Sequence, residues 1–295
     1  LLSSITYLQY YIPIVIQSKK LNYKSVFYYR KNIKKYADPT KIKNFKIIKK
    51  YCELYDIILI KSEYSILNNS KGIFFMVDGD ILGPSKDIYI KDSNLFNLNE
   101  QSIKISLQEN LNFNWNFDDY IDFIDYSIFP SKYYSKLYNK ISNKNLYLGN
   151  NKYEISSNLE HIYSKYNISK NKRYVLLFFP KKKFRKSFSI KSNSLINIYD
   201  FLHKLGFLII VKTRPKDDIE DDKLKGDIFI DEEMLYPNLS IQLLKICDLC
   251  ILFSSSAVEE TIICEVPTID FHVDNVDNIT RLSFLYNEKT IIQIR

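Results

Sequence analysis

The chain has 295 residues, a formal net charge of +8 and four cysteines. Its 46% hydrophobic and 26% charged residues are ordinary for a globular protein, and the length predicts roughly two domains. These values exclude a globally disordered chain and a disulfide framework, and the positive charge favours anionic partners.

No apolar run reaches the ~18 residues that a membrane-spanning helix needs. The longest candidate, from Ile5 to Ile16, is interrupted by Gln9 and Pro13, and it lacks the basic flank and cleavage site of a signal peptide. Because the chain begins with Leu1 rather than Met, we interpret it either as a fragment, whose first domain could lack its first strand, or as a chain numbered from an internal residue.

Short apolar runs bounded by turn residues predict five strands in the first half of the chain. They are Ser25–Tyr29, Asp56–Ile60, Gly72–Val77, Tyr126–Phe129 and Leu146–Leu148. The Asn-rich segment from Leu82 to Phe117 fits neither a helix nor a strand pattern, and we interpret it as a long loop or an insertion.

The second half predicts five more strands, several of them apolar throughout, with helices between them. The strands are Tyr174–Phe179, Phe207–Lys212, Ile228–Ile230, Leu249–Phe253 and Thr268–Phe271; the helices are Leu195–Leu205, Ser240–Cys247 and Ser256–Cys264. Continuous apolar strands are typical of a parallel sheet covered by helices on both faces. The alternation predicts an α/β protein.

A polar stretch from Gly149 to Lys172 separates the two groups of strands. We therefore predict two doubly wound, Rossmann-like domains, residues 1–155 and 156–295, that face a central cleft. Ligands of such folds bind at the carboxyl ends of the strands, so the residues that follow each strand are the candidate site residues.

Phosphate recognition by glycine-rich loops is excluded. The chain has six glycines where about 20 would be average, and they form neither G-x-G-x-x-G nor a P-loop. Hydroxyls, cations and helix N-termini would have to bind a phosphate instead.

Three serines and two glutamates follow the strand Leu249–Phe253, at positions 254–256 and 259–260. Ser256 and Glu259 have the spacing of a capping box, which would make them helix-terminal residues only. The alternative is an anion site, in which the three serine hydroxyls and the helix N-terminus bind an anion, and a carboxylate one turn into the helix accepts hydrogen bonds from a ribose diol.

Two basic segments also follow strands. Arg214 and Lys216 come after Phe207–Lys212, and Lys182 and Arg185 lie in the dense cationic run after Tyr174–Phe179. Each fits a solvated surface loop, and each also fits phosphate binding; the second run also fits a contact with anionic lipid.

In the first half, Asp78 follows a strand and precedes Gly79. It fits either a plain Asp-Gly turn or a general base at a strand end. Gly149 and Asn150 follow the last strand of the first domain, and we include them among the donor-binding candidates.

Cys247 and Cys250 form a C-x-x-C pair with no further ligands nearby in sequence. We interpret them as packed hydrophobic residues and predict no metal site.

The segment from Ile246 to Phe271 resembles the C-terminal nucleotide-site segment of GT-B enzymes. It is most similar to CDP-glycerol glycerophosphotransferases, UDP-N-acetylglucosamine 2-epimerases and related glycosyltransferases that build surface polysaccharides. The resemblance implies that Ser255 and Ser256 bind the donor's phosphates and that Glu260 binds its ribose.

Two further segments extend the resemblance to roughly residues 50–275. Val211 to Lys216 resembles the V-K-x-H-P-R motif of this group, and Leu148 to Glu154 resembles its L-G-N-P-K-x-D motif. The chain departs from the group at Arg214, where the group has His, and at Glu265, where Gly is usual.

Asp78 stands where many members of the group have His. Its Asp-Gly pair resembles a motif of bacterial sialyltransferases, in which the Asp activates the acceptor. That resemblance implies Asp78 as the catalytic base and admits a CMP-sugar donor.

We therefore expect a metal-independent glycosyltransferase that builds a surface polysaccharide or glycan from a CMP-, CDP- or UDP-linked sugar, without a further cofactor. The expected partners are a glycan or lipid-linked acceptor and an anionic membrane surface, with a cytoplasmic location and no nucleic acid. A CDP-glycerol-type glycerophosphotransferase and a non-catalytic GT-B scaffold are the alternatives; an epimerase would need an acid/base set that we do not find in the sequence.

Overall fold

The computed structural model of the chain describes residues 5–30, 39–62, 71–77, 101–108, 124–130, 132, 145–153, 159–180, 192–213, 219, 221–231, 236–253, 255, 257–271 and 291–294. Over these residues the protein is an α/β structure in which all paired strands are parallel. It divides into two compact units, Leu1–Glu154 and Ile155–Arg295, and the division falls one residue before the boundary predicted from the sequence.

The first unit contains two helices, six strands and two short 3₁₀ turns within its described residues. In chain order they are the turn Ile5–Tyr7, α1 (Leu8–Lys20), β1 (Val26–Arg30), α2 (Pro39–Tyr55), β2 (Ile58–Ser62), β3 (Ile73–Val77), β4 (Ile103–Leu107), β5 (Tyr126–Phe129), β6 (Asn145–Tyr147) and the turn Asn151–Tyr153. Strands β1 and β2 pair with each other, and β3-β4-β5-β6 form a second sheet in chain order. Strand β4 lies inside the segment that we interpreted as a loop or an insertion, so that interpretation is wrong for residues 103–107.

The apolar run near the amino terminus forms α1. The helix buries Leu8, Tyr11, Ile12 and Val15, whose i, i+3, i+4 and i+7 spacing places them on one helical face. Within the residues that the structure describes, no helix has the length and apolarity to cross a bilayer.

The second unit contains the larger sheet. Its elements are α3 (Glu160–Lys165), β7 (Arg173–Phe178), α4 (Ser192–Lys204), β8 (Phe207–Thr213), a 3₁₀ turn at Asp222–Leu224, β9 (Ile228–Asp231), α5 (Leu239–Leu244), β10 (Leu249–Leu252), α6 (Val258–Ile263), β11 (Thr268–Phe271) and β12 (Ile291–Ile294). The five strands predicted here are all present, and β12 adds a sixth.

The six strands lie in the order β9-β8-β7-β10-β11-β12. From β7 the chain runs to one edge of the sheet through β8 and β9, then returns to the centre and runs to the other edge through β10, β11 and β12. This is the doubly wound order of a dinucleotide-binding sheet, and its topological switch point lies between β7 and β10.

The core of this unit lies where α4 covers the sheet. Apolar residues of the central strands, among them Val175, Leu177, Ile209, Val211 and Ile251, pack with Leu195, Tyr199 and Leu202 of the helix. Full burial of each large apolar side chain contributes roughly 1.5–3 kcal/mol, so these contacts dominate the stability of the unit.

Two hydrogen bonds join neighbouring elements of this unit. The Tyr199 hydroxyl donates to the Leu224 carbonyl at 2.9 Å, which ties α4 to the 3₁₀ turn before β9. The Asp248 carboxylate accepts from the Tyr174 N–H at 2.9 Å, which aligns the beginning of β10 with β7 at the switch point.

Candidate functional site at the carboxyl edge of the six-stranded sheet

The residues that follow β7 and β10 lie side by side, because these strands are paired from Val175↔Leu249 to Leu177↔Ile251. Buried Phe179 and Pro180 follow β7, and Phe253 and Ser255 follow β10. In doubly wound sheets the switch-point crevice is where ligands bind. The turn that carries Ser255 therefore begins at this crevice.

The turn from β10 into α6 differs from its prediction. The helix begins at Val258, with Ala257 as the N-cap in a helical conformation and without a side-chain cap, so the predicted start at Ser256 and the predicted capping box are wrong. The Ser255 hydroxyl accepts a hydrogen bond from the Ala257 N–H at 3.3 Å, and its carbonyl accepts from the Val258 N–H at 3.2 Å. Ser255 thus accepts both of the hydrogen bonds described here within the turn.

The shifted helix start changes the places of the two glutamates. Glu259 is the second helical residue and is buried, 7% exposed, whereas a capping box needs a glutamate at the third position. Glu260 occupies the third position and is half-buried. Of the two, Glu260 is the carboxylate that solvent and a ligand can reach more readily.

Glu260 contacts a residue that the sequence analysis did not identify. The side-chain amide of Asn238, which is the N-cap of α5, donates to Glu260 Oε1 at 3.4 Å. Asn238 is 6% exposed. The contact brings α5 to α6 beside the switch point, and it joins residues 22 positions apart in sequence.

A second residue that the analysis did not identify lies at the carboxyl end of β8. Lys212 is 5% exposed, and its Nζ lies 5.7 Å from the centre of the Phe178 ring on the neighbouring strand β7. A lysine within an otherwise apolar strand was the signal for it, because a buried cation requires electrostatic compensation. Lys212 supplies a fixed positive charge two residues before Arg214.

The next residue, Thr213, joins β8 to the edge strand β9. Its hydroxyl donates to Asp231 Oδ1 at 3.1 Å. On the other side of the switch point, the Phe253 and Phe271 rings stack with centroids 5.3 Å apart. The carboxyl edge is therefore ordered from β9 across to β11 by contacts between neighbouring strand ends.

Gly149 and Asn150 belong to the first unit and form a turn after β6. Gly149 has a φ of +79°, which glycine adopts without strain. The Asn150 side-chain oxygen accepts from the Lys152 N–H at 3.1 Å, and Lys152 Nζ lies 4.6 Å from the centre of the Tyr153 ring. These contacts account for the local turn, and a role in donor binding stays a prediction.

At the carboxyl end of β3, the buried Val77 N–H donates to the Tyr11 hydroxyl oxygen at 2.9 Å. Val77 immediately precedes Asp78 in sequence. Six predicted site residues lie outside the described residues: Asp78, Lys182, Arg185, Arg214, Lys216 and Ser256.

The four thiols are free, and three of them are buried. Burial raises the pKa of Cys247 and Cys250 well above the ordinary thiol value, which disfavours the thiolate that binds metals. Among the described residues no group of three or more His, Cys, Asp or Glu side chains is arranged to hold a metal ion. Of the C-x-x-C pair, Cys250 is buried in β10 and Cys247 is half-buried.

Comparison with known proteins shows the fold. No family profile matches the sequence, and no curated protein matches it. A histidine variant of the wall teichoic acid polymerase TagF, soaked with CDPG, superposes with a TM-score of 0.56 at 16% identity, over 94% of this chain and 68% of that chain. S. aureus MnaA with UDP superposes with a TM-score of 0.51 at 10% identity, over 91% of this chain and 77% of that chain.

A second TagF variant has a TM-score of 0.54 at 17% identity, and this chain spans 66% of its length. At these identities the likeness concerns the fold. The chain has the GT-B fold, and the resemblance predicted from its sequence motifs is confirmed at that level.

Proposed function

We propose that the protein is a transferase that uses a nucleotide-activated donor, and that the second unit binds the donor's nucleotide at the carboxyl edge of its sheet. The observation that carries the proposal is the strand order, which places the Ser255 turn directly at the switch point between β7 and β10. Buried Lys212 at the end of the next strand, β8, adds positive charge to the same edge.

Each candidate residue has a chemical role in this proposal. The hydroxyls of Ser255 and Ser256 bind the donor's phosphates, and Glu260 accepts hydrogen bonds from the ribose hydroxyls. The cations Lys182, Arg185, Arg214 and Lys216 stabilise the negative charge that develops on the leaving phosphate. Fixed cations can perform this role without a metal ion.

The acceptor belongs to the first unit in this proposal, with Asp78 as the base that removes a proton from its hydroxyl. The product is a surface polysaccharide or glycan. The net charge of +8 suits a glycan or lipid-linked acceptor at an anionic membrane surface on the cytoplasmic side.

A CDP-alcohol donor is the second candidate. It is favoured by the likeness to the wall teichoic acid polymerase TagF, a variant of which was soaked with CDPG. A glycerophosphotransferase of that type would use the same nucleotide site and differ in the group transferred. The panel of ligands below distinguishes the two donors.

The proposal is tested by thermal-shift titration with CMP, CDP, UDP and GDP, their sugar conjugates and CDP-glycerol, first without divalent metal and then with it. A ligand that binds only the native state adds about 2.7 kcal/mol of stability at 100 times its dissociation constant, which raises Tm measurably. We expect a metal-independent shift with one base, lost in Glu260→Ala and retained in Glu160→Ala. Glu160 is an exposed matched control that pairs with surface Lys170.

A titration with no shift for any nucleotide would contradict the donor site and favour a scaffold. A shift without product formation by the parent protein, for every donor and acceptor offered, would favour a nucleotide-binding scaffold. Where the parent forms product, Asp78→Asn separates the roles, because loss of turnover with unchanged nucleotide affinity is expected of a base.

A further inference from the structure

The loop before α5 presents Asn238 to the carboxylate that we propose binds ribose. Its side-chain amide accepts one hydrogen bond and donates another. The oxygen accepts from the Ser240 N–H at 3.1 Å, and the nitrogen donates to Glu260 Oε1 at 3.4 Å. Asn238 itself is 6% exposed; its contact with Ser240 is buried, and its contact with half-buried Glu260 is partly buried.

The two contacts together determine the orientation of the amide. A reversed amide would place its NH₂ against the Ser240 N–H, donor against donor, and its oxygen against the carboxylate, acceptor against acceptor. The cap on α5 therefore directs the Asn238 donor toward Glu260. One side chain begins a helix and restrains a carboxylate on another helix.

We propose that Asn238 is a positioning residue that fixes the Glu260 carboxylate for the ribose hydroxyls of the donor, and thereby makes the site selective for ribonucleotides. The inference rests on the proposed function. A glutamate side chain that is free to rotate loses rotamer entropy on binding, whereas one that is already restrained loses less. A site that presents an oriented acceptor to a hydroxyl also discriminates against an analogue without that hydroxyl.

The test uses Asn238→Ser. Serine keeps an N-cap oxygen for the Ser240 N–H but lacks an amide donor for Glu260, so the helix start is retained while the positioning contact is removed. The probes are CMP, CDP, UDP and GDP, each compared with its 2′-deoxy form by titration calorimetry. The measured quantity is the ratio of the two dissociation constants.

For the base that binds best, we expect the parent to favour the ribonucleotide by about tenfold or more. In Asn238→Ser we expect that ratio to fall to about threefold or less, with the affinity for the 2′-deoxy form nearly unchanged. Glu260→Ala should show the same loss, and the double variant should show no additional loss, because the two residues act as a unit.

Two results would overturn the inference and leave the donor site intact. In the first, Asn238→Ser keeps the parent's preference for the ribonucleotide although Glu260→Ala has lost that preference. The other is an equal loss of affinity for both forms, which would assign Asn238 a purely structural role. If Glu260→Ala left the ratio of the two dissociation constants unchanged, Glu260 would not bind the ribose. The inference about Asn238 would then fail as well.

Asn238→Asp provides a second variant should the serine variant fold poorly. Aspartate is as good an N-cap as asparagine, but it places a second carboxylate against Glu260. The same loss of ribose preference is expected, and an unchanged ratio would contradict the inference.

Discussion

The Tyr11 hydroxyl oxygen accepts a hydrogen bond from the Val77 N–H at 2.9 Å and joins two residues 66 positions apart. Tyr11 lies on α1 and is 4% exposed, and Val77 is the last residue of β3 and is fully buried. The first helix therefore satisfies the backbone donor at the carboxyl end of a strand. The next residue in sequence is Asp78, the proposed base.

Tyr11→Phe tests this contact. The change leaves the buried Val77 N–H without its acceptor, which should lower the free energy of unfolding by about 1–3 kcal/mol in urea denaturation. Tyr23→Phe is the matched control, because Tyr23 is 67% exposed and should change stability little. Equal stability of the two variants would show that the contact contributes nothing.

Gly226→Ala should destabilise the second unit more than Gly206→Ala. Both glycines have positive φ, +65° and +81°, which costs an alanine roughly 1–2 kcal/mol. At Gly226 the added Cβ would also lie 2.8 Å from Val211 Cγ2 and 2.9 Å from the Ile209 carbonyl oxygen, whereas at Gly206 it would meet nothing within 4 Å. We expect the free energies of unfolding to differ by about 1–3 kcal/mol, as overpacking of a core does. Equal losses would contradict the close approach.

The stability of the protein should fall as pH rises above the ordinary thiol pKa of about 8.5. Burial raises the pKa of the Cys264 thiol to about 11. The folded state therefore holds the proton after the unfolded state has released it, so the stabilisation is complete below the unfolded pKa and is lost as pH rises toward 11.

Urea denaturation between pH 8 and 10 measures this loss, and Cys264→Ala should make the dependence on pH less steep. Other titrating groups contribute equally to parent and variant, so the difference between the two isolates the thiol. An unchanged slope in Cys264→Ala would contradict the raised pKa.

Lys212→Met should weaken nucleotide binding while keeping the apolar part of the side chain. Removing one fixed cation from the carboxyl edge should lower the affinity for a nucleoside diphosphate by about tenfold, and raised salt should reduce the difference between parent and variant. The control is Lys225→Met, since Lys225 pairs with Asp222, which is exposed. Equal affinities of Lys212→Met and the parent would place Lys212 outside the phosphate site.

The sequence predicted the central sheet well for a physical reason. The central residues of β7, β8 and β10 are buried on both faces, so each strand contains a continuous apolar run that leaves no competing pattern. By contrast, β4 reads Ile-Lys-Ile-Ser-Leu within a polar, Asn-rich segment, so the composition around it did not indicate a strand. Its pairing with β3 and β5 in the structure identifies it as one.

Candidate site residues could be predicted from the sequence where they directly follow a strand. They could not be predicted where residues distant in sequence contact each other. Ser255 and Glu260 were proposed as site residues because they follow a recognisable strand, and the structure places them in the turn and the helix after β10. The helix start was misplaced because a run of three serines offers several N-cap choices, and the structure places the cap at Ala257. Asn238 contacts Glu260 on another helix, and no local pattern indicates that contact. Lys212 had one local signal, a cation within an otherwise apolar strand.

Hydrogen–deuterium exchange with and without the best-binding nucleotide reports which segments of the chain the ligand contacts. We expect slower exchange in peptides that span the end of β10 with α6 and the end of β8, with α3 unchanged and the effect abolished in Glu260→Ala. Protection confined to the first unit, or to the amino ends of the strands in the second, would contradict a nucleotide site at the switch point.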